Sequence, residues 1–239
     1  INMDKCSYTR FTRNKNLIDY RYKLKNIELT QSQVVKDLGV LMDEKMTFQP
    51  HIEKLISECN RMLGFVCRSS KDFKNVRAVI SLYYAYVYSK LSFASVIWNP
   101  LYKTYVDRIE RIQNKFLRTL GFKIHQPVQN SNYEHLRNKF SILTLRHRRI
   151  LSDLCLIYKI INVFDSPYLL SKINFNVPER QFRQVPFFKT PFRRTNLGAN
   201  SPLVRAQKTY NDFCHINADI FTVNINRFKN TLRSQLLFE

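Results

Sequence analysis

The sequence predicts a mainly α protein with a small N-terminal antiparallel β portion, a helical bundle and a Pro-rich C-terminal segment. Three observations carry this. From Ile52 onward, apolar residues recur at three- and four-residue steps, the period of an amphipathic helix. The first fifty residues are instead rich in β-formers broken by polar turns. Finally, the 239 residues hold four glycines, Gly39, Gly64, Gly121 and Gly198, where average usage would give about sixteen. No two of them lie within twenty residues of each other. A dinucleotide fingerprint, a phosphate-cradling P-loop and a G-x-S-x-G elbow all need closer glycines, so these classes are excluded.

Taken in order, Lys5 to Thr12 and Tyr20 to Leu29 read as strands around a turn at Asn14-Lys15-Asn16. Val34 to Met42 and Met46-Thr47-Phe48 flank a polar turn, Asp43-Glu44-Lys45. Pro50 suits the first turn of a helix, where its missing N–H costs nothing. A first helix follows on Ile52, Leu55, Ile56, Cys59, Leu63 and Val66. A second, on Val76, Val79, Ile80, Tyr83, Val87 and Leu91, runs on to Ile97 and is broken by Asn99-Pro100. The third, Tyr105 to Leu120, buries Val106, Ile109, Ile112, Phe116, Leu117 and Leu120 and ends at Gly121 as a C-cap. A fourth spans about Leu143 to Val163. Between Phe175 and Thr209 four prolines argue against a long helix, and a last helical stretch covers Asp219 to Leu237. The domain expectation is therefore β structure in 1–50, a helical unit in 51–122, and a helical, Pro-rich basic part in 123–239.

Charge is the second signal. Thirty-nine Lys+Arg face 18 Asp+Glu, a formal net charge of +21. Cations repel one another in a compact fold, so such an excess favours an external polyanion. On the third helix Arg108, Arg111, Lys115 and Arg118 stand at i, i+3, i+7 and i+10 and share one face. Arg146, Arg148 and Arg149 crowd the start of the fourth. Phe175, Phe182, Phe187, Phe188 and Phe192 interleave with Arg180, Arg183, Lys189, Arg193 and Arg194. Such a stretch can stack on bases and clamp phosphates, or wrap its phenylalanines onto the helices. The helix face, equally, can be a merely solvated one.

Catalytic chemistry finds little support. Two-metal phosphoryl transfer needs clustered carboxylates, and no Asp-Asp, Asp-x-Asp or Asp-x-Glu occurs. His51-Ile52-Glu53 has the H-x-E spacing of nucleobase deaminases without the companion P-C-x-x-C. The five cysteines are scattered and odd in number, which favours a reducing compartment over a disulfide scaffold. Close-spaced zinc ligand pairs are missing; Cys214-His215 is the one Cys/His neighbour pair. No run of 18 apolar residues suggests a membrane span. The chain starts at Ile1 and reads as a piece of a longer polypeptide, with no metal, cofactor or small-molecule site of its own.

Several stretches in series then resemble one family. They are Asn2-x-x-Lys5-Cys6, Lys36-Asp37-Leu38-Gly39-Val40 with Leu41-Met42-Asp43, Phe48-x-x-His51-Ile52, Met62-Leu63-Gly64-Phe65 and Trp98-Asn99-Pro100. Arg108-Ile109-Glu110-Arg111 follows, with Gln113-x-x-Phe116-Leu117-Arg118, then Arg194-Thr195-Asn196 and Asn200-Ser201-Pro202. Together they resemble the C-terminal part of the reverse transcriptase of jockey-like non-LTR (LINE-type) retrotransposons, over essentially the whole chain. The resemblance implies the end of a palm and a primer-grip hairpin in 1–50, a thumb in 51–122, and a following segment. It implies that Lys5 acts as a general acid toward departing pyrophosphate, that Leu38, Gly39 and Val40 form the primer-grip turn, and that Arg108, Arg111, Lys115 and Arg118 hold the primer–template backbone. Arg146, Arg148, Arg149, Arg193 and Arg194 are further candidates. The metal-binding aspartates would lie upstream with the rest of palm and fingers, so this chain alone would be inactive and Mg²⁺ would be bound elsewhere in the same polyprotein. Expected partners are RNA, RNA–DNA hybrid or DNA duplex, inside the cell in nucleus or cytoplasm. The other reading is a non-catalytic helical scaffold descended from a decayed element.

Overall fold

The computed structural model describes residues 6–14, 16, 20–177, 186–213, 220–221 and 223–238. The expectations for Lys5, Arg180, Phe182, Arg183 and the Cys214-His215 pair fall outside them.

The chain is mainly helical with short strands at its start. Strand β1 (Ser7–Tyr8) lies parallel to β4 (Thr30–Gln31), with Ser7 opposite Thr30. Strands β2 (Lys23–Leu24) and β3 (Ile27–Glu28) form an antiparallel hairpin through Lys25 and Asn26, both at positive φ. A second hairpin joins β5 (Val34–Asp37) to β6 (Val40–Asp43) through Leu38 (φ 43°) and Gly39 (φ 92°). Two-residue hairpin loops of the I′ kind need positive φ at both central residues. The run expected as one strand thus folds back on itself at Leu38-Gly39, and the β portion is not wholly antiparallel. Asp43 does not sit at a hairpin tip either. Its carboxylate accepts the Thr47 and Phe48 backbone N–H groups (2.8 and 2.7 Å) and the Thr47 hydroxyl (2.9 Å), shaping the entry to the first helix.

Helix α1 (Gln49–Ser69) carries Pro50 in its first turn and buries Ile52, Leu55, Ile56, Cys59, Leu63 and Val66, the stripe its spacing predicts. The expected second helix is interrupted. It consists of α2 (Val76–Tyr83), a π-turn at Tyr84–Tyr88, α3 (Ser89–Ser92) and, after a left-handed Ala94, α4 (Ser95–Trp98). The break has a physical use. Trp98 is fully buried, and its indole N–H donates to the Phe93 carbonyl (2.7 Å), an acceptor that a continued helix would not turn toward it.

Helix α5 (Lys103–Lys123) runs past Gly121, which is a buried residue of its last turn rather than a cap. A Cβ there would lie 2.8 Å from the Gln126 carbonyl, and Gln126 N–H donates back to the Gly121 carbonyl (2.9 Å). Close approach of the returning chain, not helix termination, selects glycine at this position. A short α6 (Glu134–Phe140) leads to α7 (Leu145–Asn162). Then come α8 (Pro167–Leu170), α9 (Asn196–Ala199), α10 (Pro202–Asp212) and α11 (Ile225–Phe238). Pro202 starts α10 instead of preventing it, because proline in the first turn loses no helical hydrogen bond.

Two apolar cores result. The first joins α1, α2, the π-turn, α5 and Val40 of β6, and extends through Tyr133, Leu136 and Ile142 to Leu145. It therefore continues past residue 122. At its centre Tyr83 stacks on Phe116, ring centroids 3.9 Å apart and 7° from parallel. The second core gathers Leu154, Ile157, Tyr158 and Ile160 of α7 with Phe188, Ala206, Phe228 and Leu232. Phe188 is buried and Phe187 partly buried, in ring contact with Tyr210 and with the exposed Phe175 and Phe221, so Phe187 and Phe188 are structural, whereas Phe192 is 89% exposed. Helix α7 spans both cores. Arg205 of α10 clamps the junction, donating to both Asp153 oxygens (2.8 and 3.0 Å) and to the Val96 carbonyl of α4.

Candidate nucleic-acid interface

Helices α1 and α5 lie side by side and run in the same direction. The contacts that show it keep a nearly constant sequence offset. Glu53 meets Tyr105 (3.4 Å) and Arg108 (3.6 Å), Asn60 meets Lys115 (3.3 Å), Cys67 meets Thr119 (3.5 Å), and Lys123 donates to the Lys71 carbonyl (2.8 Å). The returning α2, π-turn and α3 close the bundle behind them, with Lys90 paired to Glu58 at 3.1 Å.

On this frame Arg108, Arg111, Lys115 and Arg118 are all exposed, opposite the buried Ile109, Phe116 and Leu120. Their neighbours are mostly neutral. Arg108 lies over the Tyr105 ring at 5.6 Å and makes a wet ion pair with Glu53, both side chains around half exposed, which contributes little. The Asn60 amide donates to the Ile56 carbonyl of its own helix, leaving its oxygen to accept from Lys115 Nζ. Arg118 donates to the Tyr133 hydroxyl (2.9 Å). The exposed Arg111 side chain makes no hydrogen bond or ion pair among the described residues. The row is thus oriented but not neutralised.

The arginines at the start of α7 divide differently. Arg146 is exposed. Arg148 is half-buried; it donates to Tyr84 (2.7 Å) and Tyr88 (3.2 Å) hydroxyls and lies over the Tyr88 ring at 4.5 Å. Arg149 is 7% exposed, 3.8 Å from Glu110, and burial lowers its pKa. As phosphate contacts Arg148 and Arg149 are therefore corrected: successive helical residues turn by about 100°, and these two face the bundle. Glu110 accepts the Leu145 and Arg146 N–H groups (3.2 and 2.6 Å), a carboxylate at a helix N-terminus where the dipole favours it.

Arg193 and Arg194 are exposed in the turn before α9, next to the second core rather than on the bundle. Leu38 at the hairpin tip is 87% exposed, Gly39 has a Cβ position 3.3 Å from the Phe93 ring, and Val40 is buried. His51 ties this hairpin to α1. Its Nδ1 accepts the Leu41 N–H (3.3 Å), its ring lies 5.5 Å from Trp98, and burial holds its pKa below the ordinary value, in keeping with the neutral imidazole that an accepting nitrogen requires.

Sequence reasoning missed Arg61 and Arg68, exposed cations on α1 at i and i+7, and Tyr133, which orients Arg118. Equal spacing on an earlier helix was the available signal. A cavity of about 780 Å³ between α5, α7 and α10 mixes Lys103, Arg146, Arg149 and Arg205 with Asp107, Asp153 and Asp212, so it has no dominant sign. Among the described residues no group of three or more His, Cys, Asp or Glu could hold a metal ion, and no helix is long and apolar enough to cross a membrane.

No family model and no solved structure matches the chain. An uncharacterized protein of Caenorhabditis elegans is 27% identical over 120 residues, 50% of this chain and 59% of that relative. The chain thus spans less than two thirds of the relative's length.

Proposed function

We propose that this chain is a nucleic-acid grip, the thumb-bearing C-terminal portion of a retrotransposon-type RNA-directed DNA polymerase, with α5 laid along the backbone of a primer–template hybrid. One observation supports the reading most: the four α5 cations are exposed, held in line, and left with unspent charge. Backbone contacts of this kind position a duplex without reading its sequence. The hairpin tip at Leu38 and Gly39 is the matching candidate for the primer-grip turn. The ordered stretches that resemble the non-LTR family support the same reading, in which the chemistry would belong to residues outside this chain.

The scaffold reading draws on one feature, the exposed pair Phe65 and Tyr86, whose rings meet edge to face at 6.1 Å. Amine acetylation separates the two. Saturating RNA–DNA hybrid should slow modification of Lys115 at least several-fold while leaving Lys172, in the turn after α8 beside the second core, unchanged. Equal rates at Lys115 with and without hybrid would remove α5 from the interface and favour the scaffold.

A further inference from the structure

The face that carries the α5 row does not end at α5. Because α1 runs parallel beside it, the α1 positions on the same side form a second rail. Asn60 and Cys67 touch α5 directly. Gly64 lies on the same ridge, four residues after one and three before the other. Residues at such steps are neighbours on a helix surface. Arg68 follows one turn later, exposed, its side chain without a hydrogen bond or ion pair among the described residues.

Glycine in a helix interior is unfavourable relative to other residues, and Gly64 has no turn, cap or positive φ to explain it. Nor does a neighbouring backbone press on it. The one atom within 4 Å of its missing Cβ is Arg68 Nη1, at 3.3 Å. The guanidinium therefore lies down over the bare helix backbone, in the space a side chain would fill, and its charge is brought toward the groove between α1 and α5.

We infer that Gly64 and Arg68 form a second phosphate-contact row on α1. Gly64 keeps the groove open so that Arg68 engages the sugar–phosphate backbone held by Lys115 and its neighbours. This rests on the grip reading above and extends it to a second helix. Two parallel cationic rails suit a surface with two negatively charged strands, and the open glycine sits where the polyanion would come closest to the protein backbone.

The test uses the 239-residue chain and a labelled RNA–DNA hybrid, with binding measured across salt concentrations. Gly64→Leu keeps every charge and favours the helix, so its melting temperature should be no lower than the parent's. Its affinity at 0.15 M salt should nevertheless fall about fivefold, the weight of one lost phosphate contact with a log–log slope of roughly 0.9. Arg68→Gln should lose the same amount. The double variant should bind no worse than either single, because both remove one contact. Parent-like binding by Gly64→Leu or by Arg68→Gln, with binding still lost on reversing the α5 charges, would overturn the α1 row and leave the grip standing. Parent-like binding after the α5 reversal would overturn both. If Gly64→Leu fails to fold, Arg68→Gln decides, since its side chain supports no part of the core.

Discussion

Reversing the α5 row with Arg108→Glu, Arg111→Glu, Lys115→Glu and Arg118→Glu together lowers hybrid affinity by about 10³-fold at 0.15 M salt. That size follows from four phosphate contacts at roughly 0.9 log–log slope each, referred to 1 M salt; repulsion from the new carboxylates adds to it. The slope itself drops by about 3.6. The variant keeps its core, because Ile109, Ile112, Phe116, Leu117 and Leu120 are untouched and all four replaced side chains are exposed. Melting temperature separates binding from folding here. A glutamine version of the same four positions removes the charge without reversing it. An affinity within twofold of the parent for a folded variant returns this face to solvent.

The second large effect is on stability. Asp153→Ala leaves Arg205 without its carboxylate at a site where the two side chains are 3% and 13% exposed. Breaking a buried pair by removing one partner costs about 3–5 kcal/mol. For a chain of this length that lowers the melting temperature by ~6–20 °C. Arg205→Ala does the same and also frees the Val96 and Asn200 carbonyls it now satisfies. Replacing both residues with apolar ones of similar volume recovers part of the loss, since desolvation of two charges offsets much of their attraction. Burial pushes the Asp153 carboxyl upward while Arg205 opposes it, which is what a costly but paired site produces. A drop below about 1 kcal/mol in chemical unfolding contradicts the clamp.

The elements that were legible in the sequence are those whose signal is local and periodic. The α1 stripe from Ile52 to Val66 and the α5 stripe from Ile109 to Leu120 both emerge where the three- and four-residue steps put them. So does the shared face of Arg108, Arg111, Lys115 and Arg118. What escaped depends on contacts between distant residues. Gly121 looks like a cap until the chain returns at Gln126 and occupies the space of its Cβ. Arg148 and Arg149 look like part of a basic cluster until Tyr84, Tyr88 and Glu110 are brought against them. The stop after Ser92 answers the need of the Trp98 N–H for a carbonyl, a need the periodicity of that segment does not record. Pro202 misleads for another reason: proline forbids helix interiors but favours first turns, and composition alone does not say which position it holds. The same distinction applies to the phenylalanines near residue 188, where burial separates Phe187 and Phe188 from the exposed Phe192.

The +21 charge is accordingly not spread evenly in meaning. Part of it, at Arg148, Arg149 and Arg205, is internal and holds helices together. Another part, at Lys90 and Lys123, ties the bundle's surface to Glu58 and to the Lys71 and Phe73 carbonyls. Among the described residues the remainder on α5 meets one carboxylate in an ion pair, the half-exposed Glu53 beside Arg108, and that remainder is what a nucleic-acid backbone would neutralise. The salt dependence of hybrid binding by the unmodified chain measures this most directly. A grip of this kind gives a linear fall of log affinity with log salt concentration, with a slope of about −4 or steeper on duplex, and little difference between sequences. An affinity that stays constant across the same salt range would contradict it.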